Sequence, residues 1–264
     1  MIKMSSRVIG VRELDPDMIA PSTARMNIPE QGGSKIVIIG KPGTGKTTMI
    51  ASLLHAKRHI FPVGEVQSGT EDSNGFYGQI FPKSVVHDEL DVEKILDFKK
   101  RQKLAKKLLP NPWAILLLDD CTDNPNVLKK PIFQDVFKNG RHWKMLFILS
   151  LQYCMDVLPS IRTNVDFTFI MRESNIKNRK SLYENYAGII PDFSIFCDIL
   201  DQITDDHTAL VIHNTSHSNK MEECIFWYKA DKKFANPSFL SNFKMGCREF
   251  WEFHNERYNE SIEN

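Results

Sequence analysis

Lys35-Ile-Val-Ile-Ile-Gly40-Lys-Pro-Gly43-Thr-Gly45-Lys46-Thr47 decides the fold. A short β-branched run ending in glycine is the pattern of a strand buried on both faces, as in a parallel sheet. The eight residues from Gly40 to Thr47 complete the spacing G-x-x-x-x-G-K-[ST], and a helical pattern follows with Ile50, Leu53 and Leu54 on one face. Strand, glycine loop and helix in that order form a phosphate cradle. The glycines let successive N–H groups surround an anion, and the helix N-terminus favours negative charge there. The cradle comprises Gly40, Lys41, Pro42, Gly43, Thr44, Gly45, Lys46, Thr47 and Thr48. Lys46 is assigned to the β- and γ-phosphates of ATP, and Thr47 to Mg2+.

Downstream, Trp113-Ala-Ile-Leu-Leu-Leu-Asp119-Asp120 is a second buried strand, ending in two carboxylates. Asp119 is expected to bind Mg2+ through water and Asp120 to act as general base toward an attacking water, although glutamate is commoner in that place. A further strand, Leu146 to Leu151, ends at Gln152. A neutral amide at a strand's carboxyl end faces the ligand crevice of an open α/β sheet, so Gln152 is a candidate sensor of the γ-phosphate. Arg141 precedes that strand and belongs at the opposite sheet edge, within reach of a neighbour's nucleotide rather than its own. Arg162 and Arg172 compete for that role.

Around these landmarks, strands alternate with helices, predicting a three-layer α/β fold with a mainly parallel sheet. Residues 1–34 read as a lead-in with one short strand near Arg7 to Val11, 35–172 as the ATPase core, and 173–264 as a C-terminal extension. That extension contains a helix around Tyr183 to Leu200, a hairpin of Thr208 to His213 with Glu223 to Lys229, and an amphipathic tail helix from Phe239 to Tyr258. Helix 91–109 is expected to turn Ile95, Leu96, Leu104 and Leu108 inward. Seven basic residues against Asp97 alone lie between Lys94 and Lys107, a stripe suited to phosphate-backbone contact or to plain solvation.

The 264 residues carry a formal net charge of +1, which excludes a globally basic coat for nucleic acid. With 42% hydrophobic residues, the chain can build a large core. No apolar run approaches the roughly 20 residues a membrane helix needs. The opening fifteen residues lack the apolar stretch of a secretory signal, so an intracellular location is expected. Five scattered cysteines argue against a disulfide framework. His207, His213, His217 and Cys224 resemble a metal set only superficially, since their segment is rich in turn formers.

The Walker A residues 40–47, Asp119-Asp120, Gly140-Arg141-His142 and Gln152 together resemble the viral genome-packaging ATPases typified by the poxvirus A32 protein, in the FtsK/HerA branch of P-loop ATPases. Ser68 to Tyr77 with Phe81-Pro82 is a softer match. The resemblance covers about residues 35–172. It implies an ATP-driven homo-oligomeric ring, a hexamer on the family pattern, that moves double-stranded DNA into a preformed capsid. In that scheme Arg141 is the trans-acting finger and a capsid or portal component the partner, in the host cytoplasm at virus assembly sites or with the virion. The competing readings are a small-molecule P-loop kinase, such as a nucleoside kinase, and an assembly protein that binds ATP but hardly hydrolyses it.

Overall fold

The hydrophobic residues of Lys35–Ile39 alternate between two cores, Ile36 and Ile38 on one face and Val37 and Ile39 on the other, as the two-residue period of a strand demands. In the computed structural model, which describes residues 2–3, 8–121, 125–154, 157, 159–240 and 242–263, this strand is fully buried near the middle of a nine-stranded sheet. The strands in chain order are β1 (Ile2–Lys3), β2 (Val8–Ile9), β3 (Arg12–Glu13), β4 (Lys35–Ile39), β5 (Val63–Ser68), β6 (Val86–His87), β7 (Ala114–Asp119), β8 (Met145–Leu151), β9 (Phe167–Ile170), β10 (Thr208–His213) and β11 (Ile225–Lys229). β1 and β2 pair with each other. The remaining strands lie in the order β3-β11-β10-β9-β4-β8-β7-β5-β6. From β9 to β6 every pairing is parallel, and β10 runs antiparallel to both of its neighbours.

Helices cover both faces, giving the three expected layers. The Lys46–Lys57 helix packs with Tyr77, Phe81, Phe234 and Phe250 on one side; Phe98, Phe133, Leu182 and Phe196 cover the other. The hairpin β10–β11 completes this same sheet, and the tail helix Arg248–Glu263 closes the chain. In the lead-in, Val8–Ile9 is a strand, while Arg7 lies outside the described residues. β3 adds to the outer edge of β11, and Leu14 and Ile19 are buried.

Three expectations need correction. The tail helix begins at Arg248 rather than Phe239, because Gly246 at φ 95° stands outside helical geometry just before it. The single helix around Tyr183 to Leu200 is two, Ile176–Tyr186 and Phe193–Ile203, because Gly188 and Pro191 interrupt the turn between them. In helix Val92–Leu108 the buried residues are Ile95, Phe98, Gln102 and Ala105, whereas Leu104 and Leu108 are 58% and 68% exposed. The inward stripe is set by Gln102, whose amide donates to the carbonyls of Pro112, Trp143 and Lys144 and rotates the helix toward the β7 and β8 entrances.

Buried lysines consume part of the chain's basic charge. Lys144 donates to the carbonyls of Ile28, Pro29 and Gln31, and Lys57 to that of Pro21. Burial pushes Lys57 down to about 8. Lys144 ties the lead-in to the start of β8, and Lys57 ties it to the helix after the cradle. No helix among the described residues is long and apolar enough to cross a membrane.

Candidate active site

Because β8 lies between β4 and β7, the carboxyl ends of three parallel strands bring Gly40, Gln152 and the Asp119-Asp120 pair to one crevice. The loop after β4 is closed by Thr44 Oγ1 donating to the Lys41 carbonyl at 2.7 Å. Gly45 caps the following helix at φ 90°, with no side chain capping the first turn. Uncapped N–H groups and the helix dipole therefore face the crevice. Lys46, 5% exposed, donates to the Gly40 carbonyl at 2.8 Å and forms an ion pair with Asp120 Oδ2 at 3.0 Å. Thr47 and the buried Thr48 occupy the first helical turn beside it.

Asp119 is 2% exposed, and Tyr77 donates its hydroxyl proton to Asp119 Oδ2 at 2.7 Å. Burial raises the Asp119 carboxyl above its ordinary range; the Ser150 and Tyr77 hydroxyls and Lys46 oppose this, and Asp120 adds to it. The Tyr77 hydroxyl is held well above its usual value by burial and by the Asp119 charge, so it stays a donor. Asp120 adopts φ 45°, a left-handed conformation that aspartate tolerates better than most residues, and its N–H reaches the Ser150 carbonyl at 3.3 Å. The opposing loop fits only as glycine: a Cβ on Gly69 would stand 2.4 Å from the Asp120 carbonyl oxygen.

Among the described residues, three buried oxygens in this crevice, Asp119 Oδ1, Asp120 Oδ1 and Ser150 Oγ, make no hydrogen bond of ordinary length. Unpartnered buried oxygens beside carboxylates form a hard donor set, and that fits Mg2+, which binds one or two carboxylates and keeps waters. Asp119 and Thr47 would hold it. Gln152 is exposed at the end of β8 and lines a cavity of about 260 Å³ with Ile39, Tyr153 and Glu173. Glu173 pairs with Lys41 of the cradle at 2.6 Å; burial pushes its carboxyl up, and Lys41 with the donors of Asn175 and Asn178 outweighs this, leaving it below the usual range.

Arg141 is not brought to this crevice. Its guanidinium pairs with Asp166 at 2.9 Å, and Asp166 also binds the main chain and ammonium of Lys35, where β4 begins. Five residues of strand, about 16 Å, separate that edge from Gly40. Arg162 is committed to the Val157 carbonyl and to Asn185. Arg172 lies on the cradle's own side, 3.8 Å from Asp205. The histidine and cysteine set is dispersed: His213 stacks on Phe167, and no cluster of three or more His, Cys, Asp or Glu among the described residues could hold a metal ion. Tyr77 is the partner that sequence spacing did not indicate; it appeared only inside the Ser68 to Tyr77 loop.

The cradle, the paired carboxylates and the strand order define the class: a P-loop ATPase on a mainly parallel α/β sheet. Residues 29–240 match the family described as poxvirus A32 protein, and the chain belongs to that family. It is 50% identical over 242 residues to uncharacterized protein 088R of Invertebrate iridescent virus 3, covering 92% of each chain. It is 49% identical over 253 residues to uncharacterized protein 075L of Invertebrate iridescent virus 6, covering 95% of each. Among solved structures, B204, the DNA-packaging ATPase from Sulfolobus Turreted Icosahedral Virus, shares the fold at TM-score 0.51 and 16% identity, over 78% of this chain and all of that one.

Proposed function

We propose that this chain is the ATP-hydrolysing motor that translocates double-stranded viral DNA into a preformed capsid. The observation that carries the hydrolytic part is the Lys46–Asp120 ion pair set beside the buried Asp119. Phosphates entering the cradle compete for Lys46 and release Asp120, whose carboxylate is then available to take a proton from the attacking water. Gln152, exposed at the end of β8 between the cradle and the carboxylates, orients that water. Thr47 and Asp119 would hold Mg2+, which would supply charge neutralisation for the phosphates. The distance of Arg141 from its own cradle supports its action on a neighbour's nucleotide in a ring, a hexamer in the preferred arrangement.

Family membership and the fold shared with the DNA-packaging ATPase B204 support the packaging role. On this reading residues 35–172 form the catalytic core, with 1–34 and 173–264 as its extensions, and the motor works with a capsid or portal component at cytoplasmic assembly sites. The basic helix contributes less than its sequence suggests. Lys99 pairs with Asp135 and Lys100 with Asp97, while Lys103, Lys106 and Lys107 have no ion pair among the described residues and are the ones proposed to meet DNA phosphates. A nucleoside kinase is disfavoured by the family and by the commitment of Arg141 and Arg162 away from the cradle. ATP turnover measured with and without double-stranded DNA, alongside mass in solution with ATP, tests the proposal. DNA stimulation in an oligomer is expected; a monomer stimulated only by a nucleoside would overturn it.

A further inference from the structure

β9 leaves the sheet beside the cradle. It pairs with β4 in parallel register, Ile39 opposite Ile170, and the Met171 N–H donates to the Ile39 carbonyl at 2.9 Å. The two chains stay close beyond their strands because residue 40 is glycine: a Cβ there would stand 2.6 Å from the Met171 Cβ. The alternation of an extended chain then turns Arg172 outward and Glu173 inward, where its carboxylate meets the ammonium of Lys41 at 2.6 Å.

Glu173 is buried and held from the C-terminal side. The Asn175 N–H donates to one carboxylate oxygen at 2.7 Å and Asn178 Nδ2 to the other at 2.9 Å. Arg179 Nε donates to the Glu173 carbonyl at 2.6 Å, and its guanidinium pairs with Asp201. Asn175 caps the helix Ile176–Tyr186, and Asp201 lies on the helix Phe193–Ile203. Lys41, by contrast, is 38% exposed, and Glu173 is its one ion pair among the described residues. Glu173 also shares a cavity with Gln152 and Ile39, over the end of β4. A fixed carboxylate facing a mobile cation sets where that cation stands. Phosphates entering the cradle offer Lys41 a second anion, so ground-state binding exchanges one anion for another and gains little. What the pair supplies is an oriented charge when the phosphoryl group transfers.

We propose that Glu173 is a positioning residue for hydrolysis: it holds Lys41 as a second cation of the cradle, directed at the terminal phosphate. Through Asn178 and Arg179 it makes that placement depend on the helices of the C-terminal extension. The inference rests on the reading of residues 40–48 as an ATP cradle.

Steady-state ATP hydrolysis by the full chain, read as kcat and KM separately, tests it. Lys41→Met changes a part-exposed side chain, so the fold persists in at least one variant; it should lower kcat about tenfold and leave KM within about threefold. Glu173→Gln keeps an acceptor for Asn175 and removes the charge that holds Lys41. Its kcat should also fall about tenfold, while KM stays level or drops, since a freed ammonium binds ground-state phosphates better. The double variant should be no slower than the slower single one, because both act through one contact. Lys41→Arg, which still pairs with Glu173, should keep kcat within about threefold of wild type. Losses that multiply in the double variant would mean that Glu173 merely braces the helix Ile176–Tyr186. A raised KM at unchanged kcat in Lys41→Met would make the lysine a binding group only, and wild-type kcat in both single variants would leave the pair without a part in hydrolysis. Each of these results overturns the proposal. Failure of the cradle itself has a different signature: wild-type ATP binding and turnover in Lys46→Ala.

Discussion

Tyr77→Phe removes one oxygen and leaves the ring in its packing. The interaction removed is the 2.7 Å hydrogen bond from a fully buried phenol to Asp119 Oδ2, whose sister oxygen already has no partner. A hydrogen bond to a charged group contributes about 1.5–3 kcal/mol. Since that bond favours the ionised carboxyl, its loss moves the already raised Asp119 value further up. The sign follows from linkage: a carboxyl raised in the folded state stabilises the fold below its unfolded value and loses that stabilisation as pH rises through its folded value. Tyr77→Phe should therefore lower stability in urea more at pH 8 than at pH 5 in the absence of divalent cations. The acid limb of kcat/KM for ATP should also move to higher pH by about one unit, because only the ionised carboxylate serves Mg2+. In an Asp119→Asn background the same change should cost less than about 1 kcal/mol, since the charge it served is gone. An acid limb that superimposes on wild type, with equal destabilisation at both pH values, would refute the coupling of Tyr77 to Asp119.

Asp120→Asn should fold, because asparagine also tolerates φ 45°, and should bind ATP while turning over about a hundredfold more slowly; wild-type turnover would move the base elsewhere. Replacing Lys103, Lys106 and Lys107 together by Gln should reduce the slope of log affinity for DNA against log salt by about 0.9 for each phosphate no longer neutralised, with basal ATPase retained, and an unaltered slope returns the helix to solvent. Glu65, which burial pushes up to about 7 from an ordinary 4.5, penalises the fold as pH rises. Glu65→Gln should thus give no gain in urea stability at pH 4, a gain that grows between pH 4.5 and about 7, and a plateau of at most about 3 kcal/mol above that. Arg141→Ala and Asp120→Asn, each inactive alone, should recover part of their ATPase on mixing once subunit exchange is shown by energy transfer. Exchange without recovery would place the finger within its own subunit and turn attention to Arg172.

Much of the catalytic end was legible because its parts are local. Residues 35–57 signal a strand, a loop and a helix by local pattern, and within the cradle Lys46 reaches back only six positions to the Gly40 carbonyl. The run Ala114 to Asp119 likewise needs only its apolar composition to be a buried strand with a carboxylate at its end. The basic stripe illustrates the opposite case. Composition alone counts seven charges, but Lys99 and Lys100 are paired with acids, and the buried Gln102 turns Leu104 and Leu108 outward.

The phosphate cradle, the paired carboxylates and the alternation of strands and helices are legible in the residues alone, all set by backbone preference and apolar period over a few positions. Folding alone brings Tyr77 to Asp119 across 42 positions and gives Arg141, already expected at the far edge, its partner Asp166. It likewise decided that His207 lies on Gly45. Those contacts depend on strand order and on which loops the sheet brings to one edge, and no local spacing encodes a meeting between distant segments.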